Sequence, residues 1–323
     1  MTGGGLCVIG LGLVGGSVLR AADRAKWTVW GATASPSDAA AAAGDGFTVE
    51  STVAGALRRA ADDDALVALA VPLPAVDEVL VSVAAHAPGC RLTDVVGVKE
   101  PVAAAVARRA PGVRYAGGHP MAGTSASGWA AGSAELFDGA VWVVAVDGTD
   151  AATWTGVARL ALDCGAQVVP ATAADHDAAV ARVSHLPHLL AAVLAAVGAD
   201  GGPLAMALGA GSFTDGTRVA GSAPDLVQGM CEGNRAALLD AVDDALGRLG
   251  AARGSLASTG GLAATIRSGH LARRAFDAAH TGPKGETLDV DLNAAGVLER
   301  LREIGRAGGR ITTLDGTRCG CSM

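Results

Sequence analysis

The chain has 323 residues and a mass of 31.6 kDa, about twice the ~150 residues of one domain, so two compact units are expected. Half of the residues are hydrophobic and 18% are charged, which excludes a disordered chain, but aromatics are only 3%, so alanine and branched aliphatics must line the core. A net charge of −7, with 25 basic against 32 acidic residues and no basic run, excludes a nucleic-acid partner bound through its phosphates. No uninterrupted apolar run approaches ~18 residues, and Leu6-Cys7-Val8-Ile9 follows the initial glycines with no basic segment before it. A cytoplasmic protein without a membrane partner is expected. The cysteines at 7, 90, 164, 231, 319 and 321 form no C-x-x-C pair, as in reduced thiols, and Cys319-Gly-Cys321 lacks the paired ligands that zinc needs, so no metal is expected.

Short branched runs alternate with alanine-rich windows up to about residue 170. Strands are predicted near 5–10, 27–32, 65–71, 91–96, 113–117, 140–146 and 166–170, with helices near 13–25, 53–61, 74–86, 100–109 and 151–163. That alternation is the pattern of βαβ units and a parallel sheet. Beyond Pro170 the strand signals stop, and 173 to about 280 reads as nearly continuous helix, broken at Gly201-Gly202 and from Gly209 to Pro224. A Gly-Pro-Lys-Gly break at 282–285 then leads to a strand at 287–292, an amphipathic helix at 297–307 and a strand at 310–314.

Gly10-Leu11-Gly12-Leu13-Val14-Gly15 is a G-x-G-x-x-G turn between the first strand and the first helix. Its first glycine permits the tight turn, its second lets a pyrophosphate approach the backbone, and its third lets helix and sheet pack closely. The helix N-terminus then offers unpaired N–H groups to phosphate. These six residues, with Val71 at the end of the third strand, are the candidate cofactor contacts. Thr33 stands at the end of the second strand, where a carboxylate would bond a ribose 2′-hydroxyl, so neither NAD nor NADP is preferred. The expected organisation is an α/β Rossmann-type dinucleotide-binding domain over 1–172, an all-α helical domain over 173–282, and a short βαβ-like tail over 283–323.

Other motifs lie where ligands of open α/β sheets bind. Asp94 and Lys99 flank the turn Val95-Val96-Gly97-Val98, and Gly117-Gly118-His119-Pro120-Met121-Ala122-Gly123-Thr124 holds a histidine in a glycine-built loop. An imidazole near its neutral pKa at such a place suits a general base. Ser184-His185-Leu186-Pro187-His188, with His176 a little upstream, carries two histidines that no Cys or Glu completes into a metal site. Phe213-Thr214-Asp215-Gly216-Thr217-Arg218 places one arginine where its fork could hold a carboxylate.

These blocks, in this order, resemble the prephenate dehydrogenase family of tyrosine biosynthesis over about residues 5 to 280. The resemblance implies a nicotinamide-binding domain followed by a helical domain through which members dimerise, and NAD or NADP as cofactor. It implies His119 as the catalytic base, with Arg218, His188, His185, Thr124 and Asp215 binding the small-molecule substrate, prephenate or arogenate. Two residues depart from the family pattern. Gly97 stands where a serine is common, and Val227 where a tryptophan is common. Gly97 keeps open a relative acting on 4-amino-4-deoxyprephenate, which has no ring hydroxyl to bond; a non-catalytic dinucleotide-binding regulator is the remaining alternative. The tail resembles half of a regulatory ACT module and is too short to be one.

Overall fold

The computed structural model describes residues 4–124, 126–281 and 287–323; Ser125 of the histidine loop and the predicted break at 282–285 lie outside them. In chain order the elements begin β1 Gly5–Ile9, α1 Leu13–Arg24, β2 Thr28–Ala32, α2 Pro36–Gly44, α3 Val53–Asp62, β3 Leu66–Leu69, α4 Val76–His86, β4 Arg91–Asp94, α5 Glu100–Arg109 and β5 Arg114–Tyr115. Next come β6 Gly118–Pro120, β7 Val141–Ala145, α6 Ala151–Asp163, β8 Gln167–Ala171 and α7 Ala173–Val180. A π-turn Ala181–His185 leads into α8 Leu186–Asp200, α9 Gly202–Ala207, α10 Gly211–Thr217, α11 Pro224–Gly233, α12 Arg235–Ser258 and α13 Ala263–Thr281. The tail holds β9 Thr287–Asp291, α14 Val297–Arg306, β10 Arg310–Asp315 and β11 Arg318–Ser322.

The first sheet is parallel, in the order β2-β1-β3-β4-β5. Its central strands, Leu-Val-Ala-Leu in β3 for example, are buried along their whole length, as expected of strands covered on both faces. The predicted strands at 113–117, 140–146 and 166–170 do not all continue this sheet. After β5 the chain bends at Ala116-Gly117 and enters a second sheet, β6-β7-β8-β10-β11-β9, in which β6 runs antiparallel to β7. α2 was not expected. Its N-terminus is nonetheless written in the sequence, since the Ser35 hydroxyl accepts the Asp38 N–H at 3.3 Å and Pro36 fills the first turn. The predicted break at 209–224 likewise contains a short helix, α10.

The chain divides into two units. The first takes the residues up to Asp177, Gly221–Gly233 and the tail from Thr287; the second takes Ala178–Ala220 and the chain from Asn234 to the end of α13. The tail is therefore no appendage. β10 pairs with β8, β11 joins β10 to β9, and Val297, Leu301 and Ile304 of α14 are buried with Cys319 and Cys321 in the same core as Trp142 and Trp154. α14 lies so close to β8 that a Cβ on Gly305 would come within 1.6 Å of the Pro170 carbonyl oxygen. Arg306 adds a two-pronged ion pair to Asp175, at 2.9 and 3.1 Å.

The second unit is helical and, as a single chain, buries few side chains. Val193, Val197, Leu204, Leu246, Leu249 and Phe276 all present half or more of their surface to solvent. The 28 residues Ala173–Asp200 contain a window of mean hydropathy 1.5, long and apolar enough by composition to cross a bilayer. This corrects the sequence expectation. Counting uninterrupted apolar runs overlooks a helix in which a few polar residues are averaged among many Leu, Val and Ala.

Candidate active site

The glycine turn is built as its sequence requires. Gly10 sits at φ +100°, and a Cβ there would come within 2.3 Å of the Ala70 carbonyl oxygen and 3.1 Å of Val71, which places Val71 against the turn. A Cβ on Gly15 would strike the Gly10 carbonyl oxygen at 1.9 Å. At Gly12 the Cβ direction meets nothing within 4 Å, and no acidic residue occupies the first turn of α1. The result is an open, anion-accepting backbone cradle at a helix N-terminus, into which a dinucleotide pyrophosphate fits. Beside it, at the end of β2, Thr33 lines a depression of about 500 Å³ together with Ala34, Pro36, Val49, Glu50 and Ser51.

His119 lies in β6, half-buried. Its Nδ1 is 2.8 Å from Nε2 of His176, whose Nδ1 is in turn 2.7 Å from Oδ1 of Asp177. Asp177 also accepts the backbone N–H groups of Lys99 at 2.8 Å and Glu100 at 2.9 Å, so that it caps α5 from a distance of 78 residues in sequence. Burial pushes the Asp177 carboxyl upward, but the hydrogen bonds from His176, Glu100 and Lys99 outweigh it and hold the group below the usual carboxylate range. The opposite side of the ring looks toward Gly97. A Cβ on that glycine would lie 3.7 Å from His119 Nε2, in ordinary contact.

Behind this row lies a buried ionic knot. Lys99 Nζ donates to Asp94 Oδ1 and, at 2.6 Å, to the Gly118 carbonyl oxygen, while Tyr115 donates to Asp94 Oδ2 at 2.6 Å and the Val96 N–H to Oδ1 at 2.8 Å. Burial lowers the Lys99 pKa against the opposing pull of Asp94, and burial together with Asp94 drives the Tyr115 hydroxyl well up. The Asp94 and Lys99 of the sequence motif thus tie the β4 turn to β6, one residue from His119. The loop after β6 carries Thr124, which is exposed and accepts the Ala126 N–H at 3.2 Å. Further along, Trp129 pins the loop to α1 and α2: the Arg20 guanidinium stacks 3.6 Å over its ring, and Asp38 and Asp45 accept its backbone and indole N–H.

In the helical unit His185 is buried in the π-turn, its Nδ1 3.2 Å from the Asn234 side-chain nitrogen. Proline at 187 has no N–H to give to the preceding turn, which explains the irregular helix there. His188 Nδ1 donates to the Ser184 carbonyl oxygen at 2.8 Å, one turn back. Asp215, in α10, and Arg218, just after it, are both exposed. Of the candidate residues, the first unit gathers the glycine turn, Val71, Thr33, His119 and Thr124; the second carries His185, His188, Asp215 and Arg218.

The residues that sequence reasoning missed are Asp177 and the role of His176. Their only local signal is a His-Asp pair in the first turns of a helix that opens with Thr172, whose hydroxyl accepts the Asp175 N–H at 3.0 Å. The partner histidine is 57 residues away, and the helix that Asp177 caps lies farther still.

Residues 16–170 match the family description "Prephenate dehydrogenase, nucleotide-binding domain", and residues 172–259 match "Prephenate dehydrogenase, dimerization domain". A cyclohexadienyl dehydrogenase of Zymomonas mobilis is 32% identical over 272 residues, 79% of this chain and 89% of that protein. A crystal structure from Corynebacterium glutamicum, described as a candidate prephenate dehydrogenase, shares 42% identity with a TM-score of 0.90 over 96% of this chain and 99% of that one. The Synechocystis arogenate dehydrogenase structure shares 27% identity with a TM-score of 0.73, over 84% and 99% of the two chains.

Proposed function

The chain belongs to the prephenate dehydrogenase family, and from that premise we propose that it oxidatively decarboxylates prephenate to 4-hydroxyphenylpyruvate with reduction of NAD or NADP. The observation that carries the reading is His119, fixed through Nδ1 in the same unit as the dinucleotide cradle, with Nε2 turned toward the open side at Gly97.

The chemistry divides between cofactor and protein. When bound, nicotinamide supplies the acceptor for the hydride that leaves the ring carbon bearing the hydroxyl. The rest falls to side chains. Nε2 of His119 takes the hydroxyl proton as the hydride departs, the ring carboxylate leaves as CO2, and the electrons of the broken C–C bond make the ring aromatic. The resulting phenolate oxygen recovers the proton from His119, so the base is regenerated. Gly10, Leu11, Gly12, Leu13, Val14 and Gly15 hold the pyrophosphate, with Val71 and Thr33 beside the nicotinamide and ribose ends of the path. Arg218 binds a substrate carboxylate as a fork, and His188, His185, Thr124 and Asp215 complete substrate recognition. We propose that the enzyme is a cytoplasmic homodimer joined through the helical unit, whose exposed Leu and Val side chains a second copy would cover.

Gly97 favours a second reading. With no hydroxyl beside His119 Nε2, a substrate carrying an amino group in place of the ring hydroxyl, as in 4-amino-4-deoxyprephenate, loses nothing at this position. The test is absorbance of reduced nicotinamide with prephenate, arogenate or the amino-deoxy compound against NAD+ and NADP+. Turnover of prephenate supports the main reading; turnover of the amino compound alone replaces it. Nucleotide binding with silence in every combination would make the chain a regulator.

A further inference from the structure

A second tier of residues stands behind His119, and its hydrogen-bond pattern determines which nitrogen of that ring can accept a proton. Asp177 receives two backbone N–H groups and the His176 ring, and these bonds keep it ionised. An ionised carboxylate only accepts, so the His176 proton is on Nδ1. A neutral His176 then has its lone pair at Nε2. The 2.8 Å contact from that atom to His119 Nδ1 requires a proton between them, and His119 must supply it.

We propose that Asp177 and His176 are positioning residues that hold His119 as its Nδ1–H tautomer, so that Nε2, the nitrogen facing Gly97, is the atom that receives the substrate proton. This inference rests on the reading of His119 as the base. His176 and Asp177 come from α7; the other charged and titratable groups packed around this strand are Lys99, at the N-terminus of α5, Asp94 from β4 and Tyr115 from β5. The Lys99 ammonium is matched by Asp94, whereas the Asp177 charge is directed to the histidine row. A proton arriving at Nε2 makes His119 cationic with Nδ1–H still pointing along a row that ends in a carboxylate, which favours the cation. The same logic orients histidines elsewhere: the partner on the far nitrogen chooses the tautomer.

The test is 15N-resolved NMR of the histidine rings in the full chain, together with kinetics, for wild type, His176→Leu and His176→Gln. Wild type should show His119 protonated on Nδ1. His176→Leu, which accepts nothing, should mix the tautomers, lower kcat ~10- to 100-fold and leave NADH affinity unchanged. It should also move the acid limb of kcat/KM to lower pH, because the Asp177 charge is no longer linked to the base. His176→Gln keeps an oxygen that can accept from Nδ1–H and should retain the tautomer and most of kcat. A wild-type His119 protonated on Nε2 overturns the proposal, as does a His176→Leu enzyme with unchanged tautomer or unchanged kcat. Should His176→Leu not fold, the wild-type spectrum alone still decides. If His119→Asn proves as active as wild type while the spectrum is as expected, the base assignment fails and the tautomer assignment stands.

Discussion

His119 and Gly97 face each other across 3.7 Å, and most of the chemistry turns on that pair. Replacing His119 by Asn removes a group that can take a proton near neutral pH while keeping a polar side chain of similar reach. Turnover should fall ~10²-fold or more, with the dissociation constant for NADH unchanged by fluorescence titration; a near-normal rate would remove His119 from the mechanism. Gly97 has an ordinary φ, so a side chain is tolerated there. Gly97→Ser places a hydroxyl one bond beyond the Cβ position, within reach of Nε2 and of a ring hydroxyl. With prephenate as substrate, kcat/KM should rise ~5-fold, the equivalent of about 1 kcal/mol for one added hydrogen bond. A fall with prephenate would show that the serine blocks the site.

At the scale of elements, two contacts decide how the first unit is assembled. α14 rests on β8 at Gly305, where a Cβ would overlap the Pro170 carbonyl oxygen. Gly305→Ala should therefore force the helix off the sheet and cost ~1–3 kcal/mol, measured by urea unfolding. The same change at the exposed Gly308 is no control, since that glycine is at φ +84°; Gly247, in α12 with open space around it, is a suitable one. The second contact is the cap that Asp177 places on α5. Its folded pKa lies below the unfolded value of 3.8, so its stabilisation is fully present above that pH and is lost as pH falls through the folded pKa. The unfolding free energies of wild type and Asp177→Asn should thus differ at pH ~6 and converge toward about pH 3. A gap independent of pH would mean that the carboxylate charge is not what caps the helix.

For the whole molecule, the feature to account for is the helical unit, whose Leu and Val side chains stay exposed in one chain. Val197 at 64% and Leu246 at 60% exposure belong to this unit. An apolar surface of this extent marks an association site rather than a stable solvent face. Light scattering should give the mass of a dimer, and Val197→Glu with Leu246→Glu should shift it toward the monomer as the protein is diluted. A dimer unaffected by both charges would move the interface to another face.

The sequence alone determined the dinucleotide fold, since G-x-G-x-x-G after a strand, followed by alternating βα signals, depends only on local backbone geometry and on periodicity. It also located His119, because a histidine between glycines and a proline at a strand end is a local pattern. α2 could have been read too, from Ser35-Pro36 and the alanines after it. Three features were decided by tertiary structure. The bend at Ala116-Gly117 divides the strands between two sheets, because β6 pairs antiparallel with β7 and leaves β5 behind. The tail becomes three strands of the second sheet, a pairing of segments more than a hundred residues apart that no short window can contain. The row from His119 through His176 to Asp177 is assembled from separate stretches of chain for the same reason: periodicity reports which face of an element is buried, and only packing decides which side chain it meets there.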